Sequence, residues 1–229
     1  MVVLINGERS LKVDAHTHLL PKEVWSEDHN IPLRLIKYDQ PTERGFAARL
    51  EYKESGKLFR ELKPNCFDED IVLKECDECG VDVQVICTVP VMFNYHMPNK
   101  DGIKWSKYLN DDTAACAKRR PDRLVGLGTL PLQDTQASVE EIERCLKMGI
   151  VGFQVGSHVN AYRGENEDGT PKIEMLPLNH SDLRPVWKEI ERLGACVMVH
   201  PWDMQWWCPE DYWQPWLVGM PTETTLAGT

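Results

Sequence analysis

The sequence predicts an α/β fold built on a parallel sheet, and two observations lead to this prediction. Apolar, valine-rich runs with the length of strands alternate with amphipathic helical patterns, which favours parallel strands joined by crossover helices. The second observation is that His16, His18 and His200 each lie where a predicted strand ends. A chain of 229 residues with 42% hydrophobic residues can form a sizeable core, and we expect one domain over residues 1–229.

The first predicted strand, Leu11–Ala15, runs directly into His16-Thr17-His18. Side chains alternate between the faces of a strand, so the two histidines point the same way and could bind one metal ion. Two histidines at this spacing are also compatible with ordinary surface or packing roles. At the carboxyl end of a strand in a βα barrel, however, they would face His200 across the barrel mouth.

The stretch 19–66 shows no clean hydrophobic period and several prolines, so we expect a loop with short helical pieces. A connection of this length inside a domain is usually functional, and we predict an active-site loop insertion. Its basic side chains could bind an anion, or they could be ordinary solvated surface charges. These residues are Lys53, Lys57, Arg60 and Lys63.

Beyond this stretch the elements alternate regularly, and Gly80 is expected to end the first helix. A capping box at Ser138–Glu141 is expected to open the third helix, and 161–180 is expected to be a surface loop. The predicted helices are 67–79, 103–120, 138–148 and 181–193, and the predicted strands after the first are 81–89, 124–130, 151–155 and 195–199.

The eight cysteines are spread through predicted helices and strands in a chain long enough to fold without disulfides, so we expect reduced thiols. Cys76 and Cys79 have the spacing of a zinc-binding pair. No second such pair follows, and both lie in a helical pattern, which favours a packing role.

The composition argues against two classes of partner. The net charge is −10 and the basic residues are scattered, so nucleic acid is not expected. No apolar run approaches the roughly 20 residues that span a bilayer, and residues 1–10 do not resemble a signal peptide. We expect no membrane partner and a cytoplasmic (cytosolic) protein.

Several segments resemble the aminocarboxymuconate semialdehyde decarboxylase family of the amidohydrolase superfamily, in the same order along nearly the whole chain. They are DAHTHLLPK at 14–22, TVPVMF at 88–93, LVGLGTLP at 124–131, VHPWDM at 199–204, and a stretch from PWLVGMP at 215–221 to Thr225.

The resemblance implies a (β/α)8 TIM barrel with a bound zinc ion (Zn²⁺). It also implies non-oxidative decarboxylation of 2-amino-3-carboxymuconate 6-semialdehyde in the kynurenine pathway of tryptophan catabolism, which diverts flux from quinolinate. Position by position, His16, His18 and His200 match metal ligands. Arg60 matches the arginine that binds a substrate carboxylate, with Lys53 as a nearby site lysine and Trp216 lining the substrate pocket. Without the resemblance, a surface Arg60 and a buried Trp216 would be preferred.

Two family residues have no counterpart here, namely an aspartate ligand in an Asp-Tyr-Pro motif and a proton-handling histidine in a His-Gly-Gly-Gly motif. Both would follow residue 229, so no proton-handling catalytic residue is assigned, and we expect a barrel truncated after about five βα units, since a complete barrel usually takes about 250 residues. The alternatives are a catalytically inactive truncated family member and a related metal-dependent hydrolase. The family also implies a small carboxylate substrate and a homodimer in the complete form.

Overall fold

The structure is a computed structural model that describes residues 4–5, 8–23, 30–203 and 215–228. The strands of these residues are β1 (Leu4–Ile5), β2 (Glu8–Arg9), β3 (Val13–His18), β4 (Leu33–Lys37), β5 (Ala48–Tyr52), β6 (Leu58–Leu62), β7 (Val83–Cys87), β8 (Leu124–Gly128), β9 (Gly152–Gly156), β10 (His158–Glu165), β11 (Pro171–Pro177) and β12 (Cys196–His200). The helices are α1 (Glu69–Cys79), α2 (Asn99–Arg119), α3 (Thr135–Lys147), α4 (Arg184–Leu193) and α5 (Met220–Ala227). Among these residues no helix is long and apolar enough to cross a bilayer.

Five parallel strands form the central sheet, in the order β12-β9-β8-β7-β3. This spatial order follows the order along the chain, as it does in successive units of a TIM-barrel wall. The predicted alternation of strands and helices is therefore confirmed, with shifts of a few residues at element ends. All five strands present their carboxyl ends at one edge of the sheet.

Helices cover the sheet through apolar side chains that recur at helical spacing. Val72 and Cys76 of α1 pack with Ile86 of β7 in one buried cluster. Ile142 of α3 and Ile190 of α4 belong to a second buried cluster around β9 and β10. Helix α1 ends as predicted, because Gly80 adopts a positive φ of 68° that an L side chain would resist.

The prediction that 19–66 is an irregular loop is wrong for its middle part, where β4, β5 and β6 form an antiparallel sheet. Leu33 and Leu35 are buried while Arg34 between them is exposed, so the period is two residues. Three residues of this alternation are too few to distinguish a strand from a loop by sequence. The sheet packs against the segment that follows β7, including Met92.

The prediction of a surface loop over 161–180 is also wrong in part, because β10 and β11 pair as an antiparallel hairpin. Val159 and Ala161 of β10 are buried with Leu176 of β11, which fastens the hairpin to the core. The connection between the two strands is a short turn in which Gly169 has a φ of 79°.

The predicted capping box is wrong, because α3 begins one turn earlier with Asp134 as its cap. The Asp134 carboxylate accepts a hydrogen bond from the Ala137 amide at 3.0 Å. Ser138 is buried inside the helix and its hydroxyl donates to the Pro131 carbonyl at 2.9 Å. Glu141 instead binds Asn110 at 2.7 Å.

The cysteines of the described residues are all unpaired, which agrees with the expectation of reduced thiols. Cys76 is buried and donates to the Gln84 side chain at 2.9 Å, whereas Cys79 is exposed. These different surroundings favour packing over a shared metal ion. Cys208 lies outside the described residues.

Candidate metal centre

Three histidine rings meet at the carboxyl edge of the parallel sheet. The ring centroids of His16 and His18 are 4.6 Å apart, and the His200 ring lies 5.0 Å from His16 and 5.1 Å from His18. His16 and His18 belong to β3 and His200 to β12, which are the two outermost strands of the sheet. Four steps of about 4.8 Å would separate these strands by about 19 Å in a flat sheet. The sheet is therefore strongly curled, and its curl brings the rings together.

The orientation of His18 is fixed by a backbone carbonyl. Its Nδ1 lies 3.0 Å from the Thr88 carbonyl oxygen, which can only accept, so Nδ1 carries the proton. Gln154 donates to the same oxygen at 3.0 Å. The pKa of His18 is lowered to about 4, first by burial and then by His16 and His200, against the raising effect of Thr88. The metal-free ring is thus neutral at neutral pH, with its Nε2 lone pair available.

His200 is 8% exposed, and a backbone carbonyl also fixes the orientation of its ring. Its Nδ1 hydrogen-bonds to the carbonyl oxygen of Pro201, so Nε2 again carries the lone pair. Burial is the largest influence and lowers the pKa of His200, while the hydrogen bond to Pro201 acts in the opposite direction. A neutral imidazole is the form that binds a metal ion.

His16 is exposed and lies at an irregularity of β3. The pairing of β3 with β7 shifts register between Asp14 and Thr17. The Gln84 amide bridges this irregularity by donating to the Asp14 carboxylate at 2.9 Å and to the Thr17 hydroxyl. The His16 amide donates to the same carboxylate at 3.3 Å. Sequence reasoning missed Gln84. The only signal for it is that it lies on β7, the strand that pairs with the strand of His16 and His18.

The donor set fits a divalent metal ion. Three imidazoles leave room for further ligands, which is the usual arrangement of a catalytic site. The ligand atoms of His16, His18 and Cys87 lie within 4.8 Å of one another, and the His200 ring adjoins this group at the centroid distances given above. Burial raises the pKa of Cys87 to about 12, and the thiol donates to the Thr17 carbonyl at 3.4 Å. A protonated thiol with its own acceptor is a poor ligand, so the three histidines form the better set.

The other predicted site residues lie on elements outside the parallel sheet. Arg60 is exposed on β6, and Lys53 is half-buried in the turn after β5, where its amide donates to the Pro32 carbonyl at 2.8 Å. Trp216 is 44% exposed in the helical turn Pro215–Gly219, so the alternative of a buried Trp216 is wrong. The roles of these three residues in substrate binding stay predictions.

A buried polar cluster at the same edge was not found by sequence reasoning. His158 begins β10, just after β9 ends at Gly156, and its Nε2 lies 3.5 Å from the Asp203 carboxylate. Its Nδ1 lies 3.8 Å from Glu223 of α5 and 3.1 Å from the Ser157 hydroxyl. Hydrogen bonding from His158, and then from Asn160, lowers the pKa of Asp203 against the opposing effect of burial. The available signal was a histidine three residues after the end of the predicted strand 151–155.

Comparison with known proteins finds relatives that match almost the whole chain. The sequence profile of the family described as Amidohydrolase matches residues 13–228. The 2-amino-3-carboxymuconate-6-semialdehyde decarboxylase of Dictyostelium discoideum is 41% identical over 96% of this chain and 57% of its own length. The protein of the same name from Caenorhabditis elegans is 37% identical over 96% of this chain and 63% of its own length. The chain thus spans about three fifths of the length of these relatives.

Solved structures show the same fold. A 2,6-dihydroxybenzoate decarboxylase from Rhizobium superposes with a TM-score of 0.55 at 25% identity, over 83% of this chain and 50% of that one. An amidohydrolase II structure superposes with a TM-score of 0.63 at 19% identity, over 95% of this chain and 60% of that one. The match of the family profile to almost the whole chain, together with these likenesses, shows that the chain belongs to the amidohydrolase family.

Proposed function

We propose that this chain serves metal-dependent decarboxylation of a small carboxylate substrate, with His16, His18 and His200 holding a divalent cation. One observation carries the proposal: the two outermost strands of the sheet curl until their histidine rings lie about 5 Å apart. Surface or packing histidines would not require this convergence.

The relatives support decarboxylation as the reaction. Two relatives that match 96% of the chain are named 2-amino-3-carboxymuconate-6-semialdehyde decarboxylases, and a solved neighbour is a 2,6-dihydroxybenzoate decarboxylase. We propose the semialdehyde as the substrate and zinc as the metal, because imidazole ligands suit zinc well. The same resemblance supports a role in tryptophan catabolism, a cytosolic location and a homodimer.

Different side chains would bind the cation and the substrate. The three imidazoles would hold the cation, which when bound supplies Lewis-acid stabilisation of negative charge that develops on the substrate. The Arg60 guanidinium would bind a substrate carboxylate through two parallel hydrogen bonds, with Lys53 adding positive charge nearby. The flat indole of Trp216 would lie against the conjugated chain of the substrate.

The antiparallel sheet supports this placement of Arg60. The sheet of β4, β5 and β6 buries Leu33 and Leu50 in one cluster with Met92, which follows β7. It is therefore anchored to a segment that leaves the carboxyl edge of the parallel sheet, where the histidines lie. Residues 19–66 are accordingly proposed as an active-site insertion that carries the groups for the substrate carboxylate.

The experiment is to measure carbon dioxide release from the semialdehyde by the metal-loaded and the chelator-treated protein, with the Dictyostelium relative as reference. We expect metal-dependent release that is lost in His16→Ala/His18→Ala and kept in His180→Ala, a histidine on the connection before α4. Metal-loaded protein that neither releases carbon dioxide nor binds a dicarboxylate analogue would contradict the proposed function.

A further inference from the structure

A buried carboxylate on helix α5 organises the backbone that follows His200. Glu223 is 5% exposed, and its Oε1 accepts hydrogen bonds from the Trp202 amide at 2.7 Å and the Asp203 amide at 3.3 Å. The Ser157 hydroxyl donates to the same oxygen. Trp202 and Asp203 follow β12, whereas Ser157 follows β9. One carboxylate oxygen therefore ties two neighbouring strand ends to one helix.

The peptide group between Pro201 and Trp202 connects this carboxylate to the His200 ring. Its carbonyl oxygen, which belongs to Pro201, accepts from His200 Nδ1, and its N–H, which belongs to Trp202, donates to Glu223. The described residues contain no cis peptide bond. In a planar trans peptide the N–H and C=O groups point in opposite directions. The carboxylate, the peptide group and the imidazole thus form one continuous hydrogen-bonded chain.

From this chain of contacts we infer that Glu223 is a positioning residue for the metal ligand His200, an inference that rests on the proposed metal site. Histidines that bind metals usually donate their other ring N–H to a carboxylate or a carbonyl, which fixes the tautomer and the ring plane. Here a carbonyl makes that contact, and the carboxylate holds the carbonyl in place. A charged acceptor at the end of the chain also strengthens the bonds along it.

Ser157 adds a second restraint on the same residue. Its amide donates to the His200 carbonyl at 3.0 Å while its hydroxyl binds Glu223. Glu223 therefore restrains the backbone that follows the His200 Cα at two points, the His200 carbonyl through Ser157 and the Trp202 amide directly. Its loss would free both points at once, and the His200 ring would sample other orientations beside His16 and His18.

The test compares Glu223→Ala and Glu223→Gln with the wild-type chain by two measurements. The first is the dissociation constant for zinc, measured by competition with a chromophoric chelator. The second is the pair of ring ¹⁵N shifts of His200 in the metal-free protein, which report its tautomer without any metal. We expect zinc affinity about 10- to 100-fold weaker in Glu223→Ala and mixed tautomers at His200. The neutral acceptor of Glu223→Gln should give an intermediate loss of at least about threefold.

Two controls isolate the effect. Thr224→Ala changes an exposed neighbour on α5 whose hydroxyl donates to the Met220 carbonyl at 2.8 Å, and it should leave both measurements unchanged. Glu141→Gln removes another buried carboxylate, which binds Asn110 and Arg144, and it should lower stability without moving zinc affinity.

The outcomes separate this inference from the proposed function. A wild-type chain that binds no zinc refutes the proposed metal site, and the ¹⁵N shifts still decide whether Glu223 fixes the His200 ring. Unchanged zinc affinity and a single His200 tautomer in Glu223→Ala would overturn the inference. If Glu223→Ala does not fold, the decision falls to Glu223→Gln, and a zinc affinity equal to that of Thr224→Ala would overturn it.

Discussion

Gly152→Ala is expected to displace the strand that carries His200. Gly152 begins β9 and pairs with Cys196 at the start of β12. A Cβ atom at Gly152 would lie 2.5 Å from the Cys196 carbonyl oxygen and 3.0 Å from its carbonyl carbon, and it would also overlap Sγ. The thiol can rotate away, but the backbone of β12 must shift. Since β12 ends at His200, the shift reaches the metal centre.

The size of the effect follows from two opposing contributions. Overpacking of this kind costs about 1 to 3 kcal/mol of unfolding free energy. Replacing glycine by alanine also reduces the entropy of the unfolded chain, which returns about 0.4 to 1 kcal/mol. The midpoints of the two ranges, about 2 and about 0.7 kcal/mol, give an expected net loss of about 1.3 kcal/mol for Gly152→Ala, within limits of about 0 and 2.6 kcal/mol, and we expect weaker zinc binding.

Denaturant unfolding and chelator competition measure these two quantities. The matched variant is Gly152→Ala/Cys196→Ala, which removes the thiol but keeps the contact with the carbonyl group. We expect only partial recovery of stability and of zinc affinity. Full recovery in the double variant would show that the side chain, and not the strand backbone, limits the space at Gly152, and would refute the reasoning.

Three further predictions concern separate parts of the molecule. Arg60→Ala should weaken substrate binding by about 10- to 150-fold, or about 1.5 to 3 kcal/mol, as measured by steady-state kinetics. Arg60→Lys should recover only part of this loss. Unchanged kinetics would show that Arg60 is an ordinary surface residue with no role in substrate binding. Tyr95→Phe should lower the unfolding free energy by about 1 to 3 kcal/mol. The reason is that the buried Gly156 amide donates to the Tyr95 hydroxyl at 3.0 Å and would lose its acceptor. A loss below about 0.5 kcal/mol would contradict this prediction. Burial raises the pKa of Asp112 against the opposing charge of Arg119, so its ionised form is disfavoured in the folded state and Asp112→Asn should stabilise the protein at pH 7. This gain should shrink as the pH falls through about 4 and vanish below about 3, where the carboxyl group is neutral in both states, and a gain that persists at that pH would contradict the prediction.

The parallel sheet and its helices could be predicted from the sequence because their signals are local and repeated. Valine-rich strands such as β7 and the glycine that ends α1 are recognisable without knowledge of the tertiary structure. The antiparallel sheet could not be predicted, because β4 has only two buried leucines and its charged residues pair across strands. Arg34 of β4 binds the buried Glu51 of β5, and this contact exists only after the strands have paired.

The candidate site was predictable in its ligands but not in its supports. His16, His18 and His200 follow from strand ends and from the family resemblance. Gln84 and Glu223 act through hydrogen bonds to residues about 70 and 20 positions away, and no spacing in the sequence indicates such partners. The start of α3 was misplaced for a related reason, since Asp134 and Ser138 both have side chains that can cap a helix.

The measurement that bears most directly on the metal site is the metal content of the purified chain after exhaustive dialysis, by inductively coupled plasma mass spectrometry. The proposed centre predicts about one divalent ion per chain in the wild type and in His180→Ala. It predicts less than about a tenth of that content in His16→Ala/His18→Ala and in His200→Ala. Equal metal content in the wild type and in both of these variants would contradict the three-histidine centre.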